Sequence, residues 1–100
     1  MTPVERRGYR HVYHQYTLRI AGDRDGFQRR VQEVGIGTAV HYEVPVHRQA
    51  LYVGLGYGEV SMPEAERAAT QVLSIPVHPA LSDEDLERVA SAVRGAATGR

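Results

Sequence analysis

Hydrophobic positions fall along the chain in short stretches whose period changes. Residues 12–20 (VYHQYTLRI) alternate, with Val12, His14, Tyr16, Leu18 and Ile20 on one face and Tyr13, Gln15, Thr17 and Arg19 on the other. A period of two carried by β-branched and aromatic residues predicts a strand whose first face is the core side. On that reading His14 is a hydrogen-bonded core residue, because buried polar groups find partners. The period then lengthens. Asp23 is placed to cap a helix over 24–34, with Phe27, Val31 and Val34 spaced i, i+4 and i+7 and Gly35 as its C′ stop. Residues 37–42 (GTAVHY) predict a second strand, with Thr38, Val40 and Tyr42 opposite Ala39 and His41.

Residues 43–60 sustain no period. One or two helical turns are expected over 47–53, loosened afterwards by Gly54, Gly56 and Gly58. A connection this long is uncommon in a compact domain and is often functional. Ser61 and Glu64 then have the spacing of a capping box, Val60 can staple to Ala65, and Ala65, Ala69, Val72 and Leu73 form the stripe of the next helix. Residues 74–78 (SIPVH) predict a short third strand, with Pro76 marking an edge. Ser82 caps the last helix, whose first turn holds Asp83, Glu84 and Asp85 at its positive end. Leu81 and Leu86 make a second staple pair, and Leu86, Val89, Ala90 and Val93 are expected to face inward.

Residues 1–10 read as a linker or frayed N-terminus and 95–100 as a flexible tail. The order is β-α-β-loop-α-β-α. It predicts an α+β domain, a small three-stranded sheet with three helices on one face, counting the loop's short turns as one. The other sheet face is left uncovered, which predicts a partner domain or subunit.

Composition narrows the chemistry. One hundred residues is one domain's worth of chain. Twelve basic residues balance twelve acidic ones, so no net field draws nucleic acid or anionic lipid; neither is expected as a partner. No charged-then-apolar leader and no spanning apolar run is present, which gives a cytoplasmic expectation. Cysteine is absent, which removes disulfides, Cys-ligated zinc and thiol nucleophiles. Every basic residue is arginine. A chain without lysine has no side-chain amine to form an imine with an aldehyde cofactor.

The histidines are the candidates that remain. His11 and His14 lie three apart on a strand and point to opposite faces. His41 and His47 flank Tyr42, Glu43 and Pro45, where a loop can bring both imidazoles to one ligand; as loop residues they can equally face solvent. A zinc site from His41, His47 and Glu43 has no recognised ligand spacing behind it. The basic-aromatic opening Arg6-Arg7-Gly8-Tyr9-Arg10 is more simply a solvated linker than a nucleic-acid contact. The run Gly54-Leu55-Gly56-Tyr57-Gly58 fits neither a dinucleotide nor a P-loop pattern.

Read as phrases, the chain resembles a known family. His11-Val12-Tyr13-His14-Gln15-Tyr16-Thr17-Leu18-Arg19, then Val34-Gly35-Ile36-Gly37-Thr38-Ala39-Val40-His41-Tyr42-Glu43-Val44-Pro45-Val46-His47, are similar to the C-terminal part of the DegT/DnrJ/StrS aminotransferases. So are Leu55-Gly56-Tyr57, Pro63-Glu64-Ala65-Glu66, Val72 to Pro79 and Leu81-Ser82. Glu43 departs from a family pattern that often has proline there. The resemblance covers about residues 11–94 and implies the small domain of a fold-type-I, pyridoxal-phosphate (PLP)-dependent sugar aminotransferase. It implies that a separate large domain holds PLP and its lysine, that the substrate is a keto-sugar, often nucleotide-linked, and that the enzyme is a homodimer. It places His41, Tyr42 and His47 as substrate-side contacts and assigns this chain no catalytic, cofactor-binding or metal-binding residue. The alternative from another class is a stand-alone, non-catalytic α+β interaction module that binds through Tyr13, Gln15, Thr17 and Arg19.

Overall fold

The computed structural model describes residues 1–98. Its first strand, β1 (Tyr16–Arg19), is shorter than the alternation predicts. The strand begins late because Tyr13 takes a left-handed backbone conformation, with φ +48°, which no extended run continues through. The break carries His14 out of the core. It is exposed, and Val12 is 85% exposed. Inside the strand and at the residue after it the predicted alternation holds: Leu18 is buried, and Tyr16 and Ile20 pack against the core.

Helix α1 (Arg24–Glu33) starts where Asp23 predicts, its carboxylate accepting the Gly26 N–H at 2.9 Å. Phe27 and Val31 are buried, and Gly35 follows at φ +87°, the left-handed stop expected of it. Val34, expected on the same stripe, is 56% exposed because the helix has already ended.

Residues 37–42 do not form a strand. Only Ala39 pairs, its N–H and C=O bonding the Ser74 backbone at 3.1 and 2.7 Å. Thr38 turns instead to α1, where its hydroxyl meets Gln28 and Gln32. Beyond it the chain makes a 3-10 turn (Val46–Arg48), a single helical turn α2 (Ala50–Tyr52) and a wider turn (Val53–Tyr57) with Gly56 at φ +99°. The expected helical turns are present, and glycine loosens them as expected.

Helix α3 (Pro63–Gln71) is capped by neither side chain of the expected box. Pro63 occupies its first turn, where its missing N–H costs nothing, and the start moves past Ser61. The helix also stops earlier than its apolar stripe implies. Val72 and Leu73 belong to strand β2 (Val72–Ile75), which Pro76 ends. The extended stretch therefore runs over 72–75 and not 74–78. Arg24 marks this junction, donating to the Ala69 and Val72 carbonyls at 3.0 Å each. Helix α4 (Asp83–Ala97) opens on a reciprocal capping box between Ser82 and Asp85. It runs through Gly95 to Ala97, with Ala96 buried, so these residues are helix where a tail was expected. Residues 99–100 of that expected tail lie outside the described residues.

The sheet therefore has two antiparallel strands, not three, with Leu18 opposite Leu73 and Thr17 opposite Ser74. Helices α1 and α4 cover the Leu18–Leu73 face, and Leu18, Phe27, Val31, Ile36, Leu73, Val89 and Ala96 form the core. Arg30 ties the two helices, its guanidinium donating to the Ala96 carbonyl at 3.1 and 3.2 Å. Leu86, expected inward, is 51% exposed. The opposite face is not a bare apolar surface. Thr17 and Ser74 share a hydroxyl hydrogen bond, and Arg19 donates to Gln71 at 2.6 Å. Nor is the chain's start loose at every residue: the Met1 ammonium and carbonyl exchange hydrogen bonds with the Arg19 backbone.

Candidate functional site

Around the second half of the chain, side chains gather at two places. The first is under His41. Its Nδ1 lies 3.2 Å from the Ser74 hydroxyl, which lies 3.0 Å from the Thr17 hydroxyl. Antiparallel register makes this possible, since Thr17 and Ser74 are direct cross-strand partners and the Ala39 bridge sets His41 alongside. Ser74 is 7% exposed, so its hydroxyl is a buried polar group satisfied by both neighbours. His14 and Gln15 join His41, Thr38 and Ser74 around one shallow depression of about 350 Å³. His14, expected in the core, is thus a neighbour of the predicted site. Tyr42 stands at its edge, 70% exposed, with its ring edge-on to His41 at 5.3 Å between centroids.

The second place is on α3. His47 and Arg48 leave the 3-10 turn toward Glu66, with Nε2 at 3.4 Å and Nη2 at 2.6 Å from the same carboxylate oxygen. The His47 side chain is 11% exposed. Partial burial works to raise the Glu66 pKa, but the His47 hydrogen bond and the Arg48 charge outweigh it, holding the carboxyl below its ordinary range. His41 and His47 therefore have different partners, and the loop does not bring them to a shared one. Among the described residues no three His, Asp or Glu side chains are gathered to hold a metal ion, so His41, His47 and Glu43 do not assemble as one. His11 is elsewhere again, stacked on Tyr13 and accepting its N–H at 2.9 Å.

Sequence reasoning missed Ser74 and Glu66, and named Thr17 only on the face of the alternative interaction module. Only the register between the two strands joins Thr17 to Ser74. Glu66 offered a faint signal, as an acid on a predicted helix rich in alanine, while its partial burial shows only in the structure. The 43–60 stretch presents apolar side chains to its surroundings: Val46, Leu51 and Leu55 are each more than 60% exposed. No helix among the described residues is long and apolar enough to cross a membrane.

Comparison with known proteins gives this geometry a setting. Residues 1–94 match the model of the DegT/DnrJ/EryC1/StrS aminotransferase family. The chain is 46% identical over 89 residues to a pleiotropic regulatory protein of Geobacillus stearothermophilus, covering 89% of this chain and 24% of that one. It is 42% identical over 83 residues to dTDP-3-amino-3,4,6-trideoxy-alpha-D-glucose transaminase of Streptomyces venezuelae, covering 83% and 22%. Among solved structures, a DegT DnrJ EryC1 StrS aminotransferase from Brucella abortus superposes with a TM-score of 0.82 at 30% identity, over 94% of this chain and 25% of the other. The chain thus spans about a quarter of the length of the proteins it matches.

Proposed function

Because the chain belongs to the DegT/DnrJ/EryC1/StrS aminotransferase family, we propose that its residues 11–94 are the C-terminal small domain of a PLP-dependent enzyme that aminates a nucleotide-linked keto-sugar. The amino donor is glutamate or a similar amino acid. In this reading His41, Tyr42 and His47 line the substrate side of the cleft. The exposed apolar residues of the 43–60 arm pack on the large domain and on a second copy in a homodimer.

The observation that carries the reading is a double one. The chain aligns over 83% of its length with 22% of a sugar transaminase, and that part is here without a lysine. The residues present do not fit PLP, because none offers the amine that anchors it covalently, and no step of the amino transfer is assigned to them. What these residues offer is hydrogen bonding: two imidazoles and a phenol that can orient sugar hydroxyls or a donor carboxylate.

The test is an assay of the purified chain with PLP, glutamate and a dTDP- or UDP-linked keto-sugar. No amino-sugar product is expected; turnover by the chain alone would overturn the fragment reading. Titration of a dTDP-sugar into the labelled chain should perturb the signals of His41, Tyr42 and His47 before those of the core. Perturbation confined to other residues would remove them from the site.

A further inference from the structure

The arm of residues 43–60 reaches the rest of the described chain through two side-chain hydrogen bonds. Its backbone hydrogen bonds close on the arm itself: Arg48 to Pro45, Gln49 to Val46, Val53 to Gln49 and Val60 to Tyr57. Among the described residues, both side-chain hydrogen bonds that leave the arm end on one atom, Oε1 of Glu66. We propose that Glu66 is a positioning residue, which anchors the arm on α3 and fixes His47 as its Nε2–H tautomer. The inference deepens the functional reading above and rests on it for the substrate-side role of His47.

The argument is one of donors and acceptors. An ionised carboxylate only accepts, so the ring nitrogen that meets it carries the hydrogen. Arg48, always charged, donates to the same oxygen at 2.6 Å and keeps the carboxylate ionised. The hydrogen bond at one imidazole nitrogen sets the state of the other. With Nε2 donating to Glu66, the neutral ring has an acceptor at Nδ1, for which the described residues supply no hydrogen-bond partner. An acceptor there selects a ligand donor. His47 then receives a hydrogen bond from a sugar hydroxyl and does not serve the carboxylate of an amino donor. His41 differs, because its Nδ1 already faces the Ser74 hydroxyl.

The experiment needs no ligand, so its outcome is independent of whether the chain binds sugars. Imidazole nitrogen spectra of the ¹⁵N-labelled chain near pH 8 report the tautomer of each histidine, with His47 assigned by its loss in His47→Gln. Wild type is expected to show His47 protonated at Nε2. Glu66→Gln keeps an acceptor oxygen and is expected to keep that tautomer, whereas Glu66→Ala is expected to lose it to an averaged mixture. Amide exchange in residues 46–57 of Glu66→Ala should be roughly two- to fivefold faster, the size expected when partly exposed charge pairs are lost, with α1 and α4 unchanged. A wild-type His47 in the Nδ1–H or mixed form overturns the proposal, and so does a Glu66→Ala variant with unchanged tautomer and exchange. If Glu66→Ala does not fold, the wild-type and Glu66→Gln spectra decide alone.

Discussion

The sheet with its two long helices and the arm of residues 43–60 use apolar side chains in opposite ways. Leu73 and Val31 are fully buried between β2, α1 and α4, while Val46, Leu51 and Leu55 of the arm stand 63–65% exposed. The first region closes its own hydrophobic account with the residues at hand, through cross-strand pairing and helices laid on one face. The second forms local turns but has no layer to bury against. A region that shapes a stable core and a region that exposes its apolar residues are read differently: one makes the domain, and the other, in the proposed reading, packs on the large domain and a second copy.

The comparison breaks most visibly at Leu73. Leu73→Ala leaves a cavity under both helices and is expected to lower unfolding stability by about 2–5 kcal/mol in a urea titration. A loss below about 1 kcal/mol would mean that the two helices do not share one core there. Next comes the entry to α4, where Ser82→Ala removes the hydroxyl that accepts the Asp85 N–H. A loss of about 0.5–2 kcal/mol is expected, read by the same titration.

Acid probes both regions at once. Hydrogen bonds from the Ser82 backbone and side chain hold the Asp85 carboxyl below its ordinary range, and Glu66 is held low on the arm's side. Both carboxylates are favoured by folding. Their contribution is present above the unfolded-state pKa and is lost as pH falls through the lower folded value. Tm should therefore fall as pH drops from about 5 towards 3, where free carboxylates titrate. Asp85→Asn and Glu66→Gln should each flatten that slope in a thermal-melt series; a slope unchanged in both would exclude these groups as its source.

The smallest effect on stability is expected in the arm. Leu51→Ser and Leu55→Ser should shift unfolding by less than about 0.5 kcal/mol, as surface changes do. The same pair should weaken self-association in sedimentation runs at rising concentration if the arm packs between copies. Large destabilisation of the monomer would show that the arm is folded core after all, and would erase the contrast with the sheet.

Much of the first region was legible in the sequence because its signals are local. Asp23, Gly35 and Ser82 each specify a helix end through their own side chain or their own φ, and each acts where its position predicts. Misreadings came where a distant partner decided. Val72 and Leu73 continue a helical stripe in sequence, yet pairing with Arg19 and Leu18 draws them into a strand. Thr38 alternates as a strand residue should, but two glutamines on α1 capture its hydroxyl. His14 lay on an apolar face until the turn at Tyr13 reversed its side. At the site, the residue types His41, Tyr42 and His47 were visible, while their supports were not. Ser74 lies 33 residues from His41 and Glu66 lies 19 from His47, separations across which no periodicity carries information.

Arg24 bears on how such a domain can change over time. By holding the Ala69 and Val72 carbonyls together it fixes the phase in which α3 gives way to β2. One residue gained or lost between positions 69 and 72 would turn every later strand side chain over, sending Leu73 to the polar face and Ser74 into the core. Beyond its anchor at His47 and Arg48 the arm carries no such constraint, since its turns close on themselves. Insertions and deletions among relatives should therefore accumulate between residues 49 and 60 and be purged at the α3–β2 junction, leaving a domain of constant frame with an adjustable reach.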